Sequence, residues 1–129
     1  MTKILVIEDD DNVRELYGLL LETKGYSVLS AASGREGLAL YDPDEIDLVL
    51  TDIFMDDMDG YEVIDTLRHA FYDVKIIAVT GAGFIDAHCA LEMAKSRGAQ
   101  AALTKPINWK VMNETIRAVL NGAKPLPLG

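Results

Sequence analysis

The sequence predicts a doubly wound α/β fold of five parallel strands and five helices, on three observations. Short aliphatic runs recur along the chain: Lys3-Ile4-Leu5-Val6-Ile7, Ser27-Val28-Leu29-Ser30-Ala31, Leu48-Val49-Leu50-Thr51, Lys75-Ile76-Ile77-Ala78-Val79 and Ala101-Ala102-Leu103-Thr104. Apolar runs this short, bounded by turn residues, read as strands covered on both faces by helices. Between them lie amphipathic stretches of the length that parallel crossovers need. Finally, 129 residues suit one domain with one substantial core and are too few for two.

In chain order, the first strand ends in Glu8-Asp9-Asp10-Asp11, and Asp11 reads as the N-cap of a helix whose stripe is Val13, Leu16, Tyr17, Leu20 and Leu21. Gly25 closes that helix. After the second strand Ser33 caps a weaker helix, carrying Gly34 and Gly37 and running to about Tyr41. Asp42-Pro43-Asp44 is a turn. The third strand stops at Thr51-Asp52; a polar loop ending in Gly60 leads to a helix over Tyr61 to Arg68. The fourth strand ends at Thr80-Gly81, and a helix from about Ile85 to Arg97 turns Ala87, Ala90, Leu91 and Ala94 inward before Gly98 stops it. The fifth strand runs into Lys105-Pro106. Asn108 caps a last helix bearing Met112, Ile116, Val119 and Leu120, which Asn121-Gly122 ends. Residues 1–122 form the domain and 123–129, with two prolines, a frayed tail.

Right-handed crossovers leave few arrangements of such a chain, and the expected one is flavodoxin-like, strand order 2-1-3-4-5. It gathers Glu8, Asp9, Asp52, Thr80 and Lys105 at one edge, the carboxyl ends of the strands, where open α/β sheets bind ligands. Three carboxylates in one crevice repel unless a cation or protons separate them. Oxygen ligands without His or thiolate indicate a hard ion, Mg²⁺ or Mn²⁺. With such an ion Asp52 can act as a phosphoryl acceptor, Lys105 can neutralise a phosphoryl oxygen and the Thr80 hydroxyl can hydrogen-bond another. Asp10 and Asp11 read as helix-start residues, and Asp56, Asp57 and Asp59 as a solvated turn.

The chain resembles the receiver domains of two-component response regulators, close in size to the chemotaxis-type single-domain members. The matching pieces are Ile4-Leu5-Val6-Ile7-Glu8-Asp9, Leu50-Thr51-Asp52-Ile53-Phe54-Met55, Met58-Asp59-Gly60, Val79-Thr80-Gly81, and Gly98-Ala99 followed by Lys105-Pro106. They span roughly residues 3–121. The resemblance implies that Asp52 is the phosphoacceptor and that Glu8 and Asp9 are metal-site acids, Asp9 the more direct. It also implies the Phe54 backbone carbonyl as a further ligand, Thr80 as the switch hydroxyl and Lys105 as the phosphate-contacting lysine. A histidine kinase or histidine phosphotransfer protein is then the phosphodonor, and helix 4, strand 5 and helix 5 the output face.

Four departures from the family pattern carry expectations. Asp56 stands where proline commonly follows the Met55 position, so the loop is less rigid and more acidic. Ala102 stands where an aromatic usually precedes the lysine by three, so a ring rotamer cannot report phosphorylation. Phe54 and Ala82, two residues after Asp52 and Thr80, cannot orient a hydrolytic water, so self-hydrolysis should be slow and Phe54→Asn with Ala82→Glu should accelerate it. The Gly81-Ala82-Gly83-Phe84 stretch lengthens the approach to the fourth helix. Trp109, opening the last helix, reads as core packing ahead of a binding surface.

Composition limits the rivals. Twenty-one acidic against 12 basic residues, a net charge of −9, disfavours nucleic acid and anionic membranes as direct partners. The single Cys89 excludes an internal disulfide, and apolar runs of about five residues are too short to span a bilayer, so a cytoplasmic setting is expected. A flavodoxin-type cofactor protein would need a phosphate-cradling loop after the first strand, where this chain has four acids. A Ca²⁺ loop on Asp57 and Asp59 fails: with Gly60 at position six, Met55 falls at position one and Thr66 at twelve. Two readings stay beside the switch, a relay passing phosphate to a phosphotransfer histidine and a scaffold that works unphosphorylated.

Overall fold

A computed structural model describes residues 1–81 and 87–122. Its strands are β1 (Lys3–Ile7), β2 (Ser27–Ala31), β3 (Leu48–Asp52), β4 (Ile76–Thr80) and β5 (Ala101–Thr104). Its helices are α1 (Asp11–Glu22), α2 (Gly34–Leu40), α3 (Gly60–Ala70), α4 (Ala87–Arg97) and α5 (Trp109–Leu120). The strands pair in parallel in the order β2-β1-β3-β4-β5, as expected from the sequence. Ala82, the glycine-bearing approach to α4 and the tail 123–129 lie outside the described residues.

Strand periodicity divides the core into two layers. In β1, Leu5 and Ile7 pack with Val63, Ile64 and Leu67 of α3 and with Leu91 and Ala94 of α4. Ile4 and Val6, one residue out of phase, pack with Tyr17 and Leu21 of α1 and Met112, Ile116 and Val119 of α5. Every residue of β3 and β4 is buried, the environment that favours aliphatic runs without polar alternation. Each fully buried Leu or Ile contributes about 1.5–3 kcal/mol relative to exposure, so the sheet is the rigid platform for whatever stands at its edge.

Local sequence and structure agree at most helix ends. Ser33 caps α2 and Asn108 caps α5 through side-chain oxygens accepting backbone N–H groups. Gly25 and Gly98, at φ 88° and 123°, end α1 and α4 in the left-handed region that side chains avoid. Two expectations need correction. The cap of α1 is Asp10, whose Oδ1 accepts from Asn12 and Val13 N–H at 2.9 and 3.0 Å, with Asp11 as the first helical residue. Leu16 is 49% exposed, because the buried stripe of α1 runs through Tyr17, Gly18 and Leu21. Trp109 is half-buried against the second layer, edge-on to Tyr17 at 5.4 Å, which is the core-packing reading.

Candidate functional site

Glu8 is the first residue beyond β1. Its N–H donates to the Ala31 carbonyl at 3.1 Å, continuing the sheet pairing one step and turning its side chain inward, where the residue is 1% exposed. Asp52 closes β3 beside it, 6% exposed, with its Oδ1 accepting the Ile53 N–H at 3.0 Å. Gly60 keeps Asp52 there: a Cβ on Gly60 would lie 2.3 Å from the Asp52 carbonyl and 2.6 Å from the Ile53 Cα. Only glycine lets α3 begin so close to the end of β3.

Lys105 arrives from the opposite side. Its N–H donates to the Thr80 carbonyl at 2.8 Å, fixing the chain past β5. The Lys105 ammonium then stands 3.5 Å from Glu8 Oε2 and 3.5 Å from Asp52 Oδ1. Thr80 ends β4 with 1% exposure, and among the described residues its hydroxyl makes only a long 3.4 Å contact to the Gly81 carbonyl. Phe54 follows on the loop leaving β3, with 44% exposure.

Glu8, Asp9 and Asp52 each offer a carboxylate oxygen, all within 4.8 Å of one another. One ammonium cannot neutralise three carboxylates. Burial, then the Glu8 charge, push the Asp52 carboxyl up to about 7, against the opposing pull of Lys105 and the Ile53 N–H. A largely buried, all-oxygen anionic cluster fits a hard divalent cation, which would take the place of that proton. These residues fit Mg²⁺ and offer nothing to a soft metal.

The acids the sequence assigned to structure stay apart from the cluster. Asp56 and Asp57 are exposed, and Asp59 caps α3 by accepting the Glu62 N–H at 2.9 Å. Ala102 is 8% exposed in β5, and beside it an opening of about 210 Å³ is lined by Leu91, Leu103, Pro106 and Val111. Sequence reading passed over Arg14. Its guanidinium donates to the Glu8 carbonyl at 2.9 Å and to Asp11 Oδ1 at 2.6 Å. The i,i+3 spacing of Asp11 and Arg14 was the available cue.

Comparison with known proteins agrees with this geometry. Residues 4–117 match the model of the response regulator receiver domain. The chain is 33% identical over 122 residues to the transcriptional regulatory protein GlrR of Escherichia coli, covering 95% of this chain and 27% of that one. It is 35% identical to AfsQ1 of Streptomyces coelicolor, covering 93% of this chain and 52% of that one. It thus spans about a quarter to a half of the length of these curated relatives. Among solved structures, a receiver domain protein from Clostridium thermocellum superposes with a TM-score of 0.88 at 29% identity, covering 95% and 96% of the two chains. The response regulator TrrA of Thermotoga maritima, solved in complex with Mg²⁺ and BeF, superposes at 0.81 with 30% identity, covering 92% and 99%. An all-parallel five-stranded sheet with an acidic, lysine-bridged edge is the architecture of a signalling receiver. This chain belongs to the response regulator receiver domain family.

Proposed function

We propose that this domain is an Mg²⁺-dependent phosphorylatable switch in which Asp52 accepts a phosphoryl group from a histidine kinase or histidine phosphotransfer protein. The observation that carries the reading is Lys105 held 3.5 Å from buried Glu8 and buried Asp52, in a cluster that half-buried Asp9 completes. A carboxylate oxygen of Asp52 attacks phosphorus in line, forming an O–P bond. The P–N bond to the donor imidazole breaks, and the imidazole takes up a proton. Glu8, Asp9, Asp52 and the Phe54 carbonyl would hold Mg²⁺, or Mn²⁺ in its place, and the ion supplies positive charge to the phosphoryl oxygens. Lys105 covers a second phosphoryl oxygen, and the buried Thr80 hydroxyl, poorly satisfied at 3.4 Å, is available to a third. The domain catalyses its own phosphorylation and, slowly, its own dephosphorylation.

The output is a change in protein binding across α4, β5 and α5 in a cytoplasmic setting. A net charge of −9 argues against direct contact with nucleic acid or anionic lipid. Buried Ala102 favours a second reading, a phosphorelay intermediate, because a methyl group cannot carry a ring rotamer change to that face.

Intact mass after incubation with a small-molecule phosphodonor tests the proposal. One added phosphoryl group that requires Mg²⁺ and is lost in Asp52→Asn supports it. An unchanged mass in folded wild-type protein with Mg²⁺ present overturns it in favour of the unphosphorylated scaffold.

A further inference from the structure

Asp9 presents a puzzle. Glu8 is held by its N–H on Ala31, its carboxylate on Lys105 and a weak 3.4 Å bond from the Asp10 N–H. Asp10 is held by capping α1. Among the described residues Asp9, between them and half-buried, makes no hydrogen bond or ion pair, although its carboxylate belongs to the acidic cluster. Four consecutive like charges, Glu8 to Asp11, would push such a side chain away from the cluster. Its placement depends on the peptide plane that carries it, and the carbonyl of that plane is the Glu8 carbonyl gripped by Arg14 at 2.9 Å.

We infer that Arg14 is a positioning residue for the metal site: by gripping the Glu8 carbonyl and Asp11 together it fixes the Glu8–Asp9 peptide and so aims Asp9 at the cation. The inference rests on the Mg²⁺ reading above and deepens it. Arg14 is well placed for the task. Its side chain is 20% exposed, and its two bonds leave from different guanidinium nitrogens, Nη1 and Nη2. The planar fork of arginine makes that pair of bonds at once, whereas a lysine ammonium is a point charge without the fork. The charge itself works against the proposed role, since a fixed cation beside a cation site lowers affinity. Geometry and electrostatics therefore predict opposite signs on substitution.

The test is thermal unfolding of the full chain across a Mg²⁺ titration for wild type, Arg14→Lys and Arg14→Ala. The metal-free melting temperature reads any purely structural loss, and the Mg²⁺-dependent increment reads affinity. Positioning predicts that Arg14→Lys, with charge kept and fork lost, weakens Mg²⁺ binding about tenfold, the size expected for an outer-shell partner. It predicts weaker binding in Arg14→Ala as well, despite the repulsion removed. An unchanged affinity in Arg14→Lys, or tighter binding in Arg14→Ala, would show that Arg14 acts by charge or by fold stability alone and overturns the inference. A wild-type protein without any Mg²⁺-dependent increment would instead sink the metal-site reading itself. Arg14→Lys keeps the test decisive if the alanine variant does not fold.

Discussion

Two acidic loops leave the same edge of the sheet, and only one brings its own carboxylates into the cluster. The stretch from the end of β1 to the first residue of α1 carries Glu8, Asp9, Asp10 and Asp11, and the β3–α3 loop carries Asp56, Asp57 and Asp59. In the first, Glu8 is 1% exposed and bridged to Lys105, and Arg14 ties its carbonyl to the start of α1. In the second, Asp56 and Asp57 lie in solvent and Asp59 spends its side chain on a helix cap. Density of acids is similar in both. What differs is burial and the presence of fixed cations, which convert surface charge into a preorganised cluster.

That contrast can be broken from the largest effect downward. Gly60→Ala drives a methyl group into the Asp52 carbonyl at 2.3 Å. It should destabilise the fold by about 3 kcal/mol or more in denaturant titrations and disturb the carboxylate cluster from the start of α3. A stability within about 0.5 kcal/mol of wild type would show that α3 can simply retreat.

Asp52→Asn should act in the opposite direction. The Asp52 carboxyl is raised from 3.8 to about 7 in the folded protein, so the stability its protonated form contributes is fully present below 3.8 and lost as pH rises through 7. The asparagine variant escapes that loss. It should equal wild type near pH 4 and exceed it above pH 7 in metal-free buffer, by at most about 4 kcal/mol. Mg²⁺ should narrow the gap at high pH, where it replaces the missing proton. A gap that is constant with pH would place the carboxyl's perturbation elsewhere.

The cap residues come next. Asp59→Ala and Asp10→Ala should each cost about 1 kcal/mol, measured by urea unfolding. Only Asp10→Ala should also weaken Mg²⁺ binding, because its neighbours hold the cluster. Smallest of all, Asp57→Asn should leave stability within about 0.5 kcal/mol and Mg²⁺ affinity near wild type. A strong loss of affinity there would mean that the second loop joins the site when the ion binds.

Much of this was legible in the residues. All five strands were placed to within a residue at either end, because an aliphatic run covered on both faces has few other uses. The caps Ser33 and Asn108 stand out for the same reason, a lone side-chain acceptor ahead of an apolar stripe. The cap of α1 is ambiguous by a residue in the sequence because Asp9-Asp10-Asp11 offers three equivalent acceptors, and only the turn geometry selects Asp10. The spacing of Leu16 suits the stripe, yet it faces outward with Leu19, 57% exposed. The carboxylates, Thr80 and Lys105 were identified together because each stands where a strand stops. Arg14 shows in the sequence only through its i,i+3 relation to Asp11, since its bond to the Glu8 carbonyl leaves no mark on spacing. Gly60 shows only as the loop's end and part of the family motif, since a close backbone approach leaves none either.

By itself the sequence determined the order of elements, the parallel sheet and the residue types gathered at its carboxyl edge. Those follow from local periodicity and from the few right-handed ways of closing the crossovers. The tertiary structure alone decided which acids are buried, that Lys105 sits between Glu8 and Asp52, and that one arginine grips the loop that bears Asp9. The reason is physical: desolvation and charge–charge energies depend on distance through the fold, and here they join residues 8, 52 and 105 that are far apart along the chain.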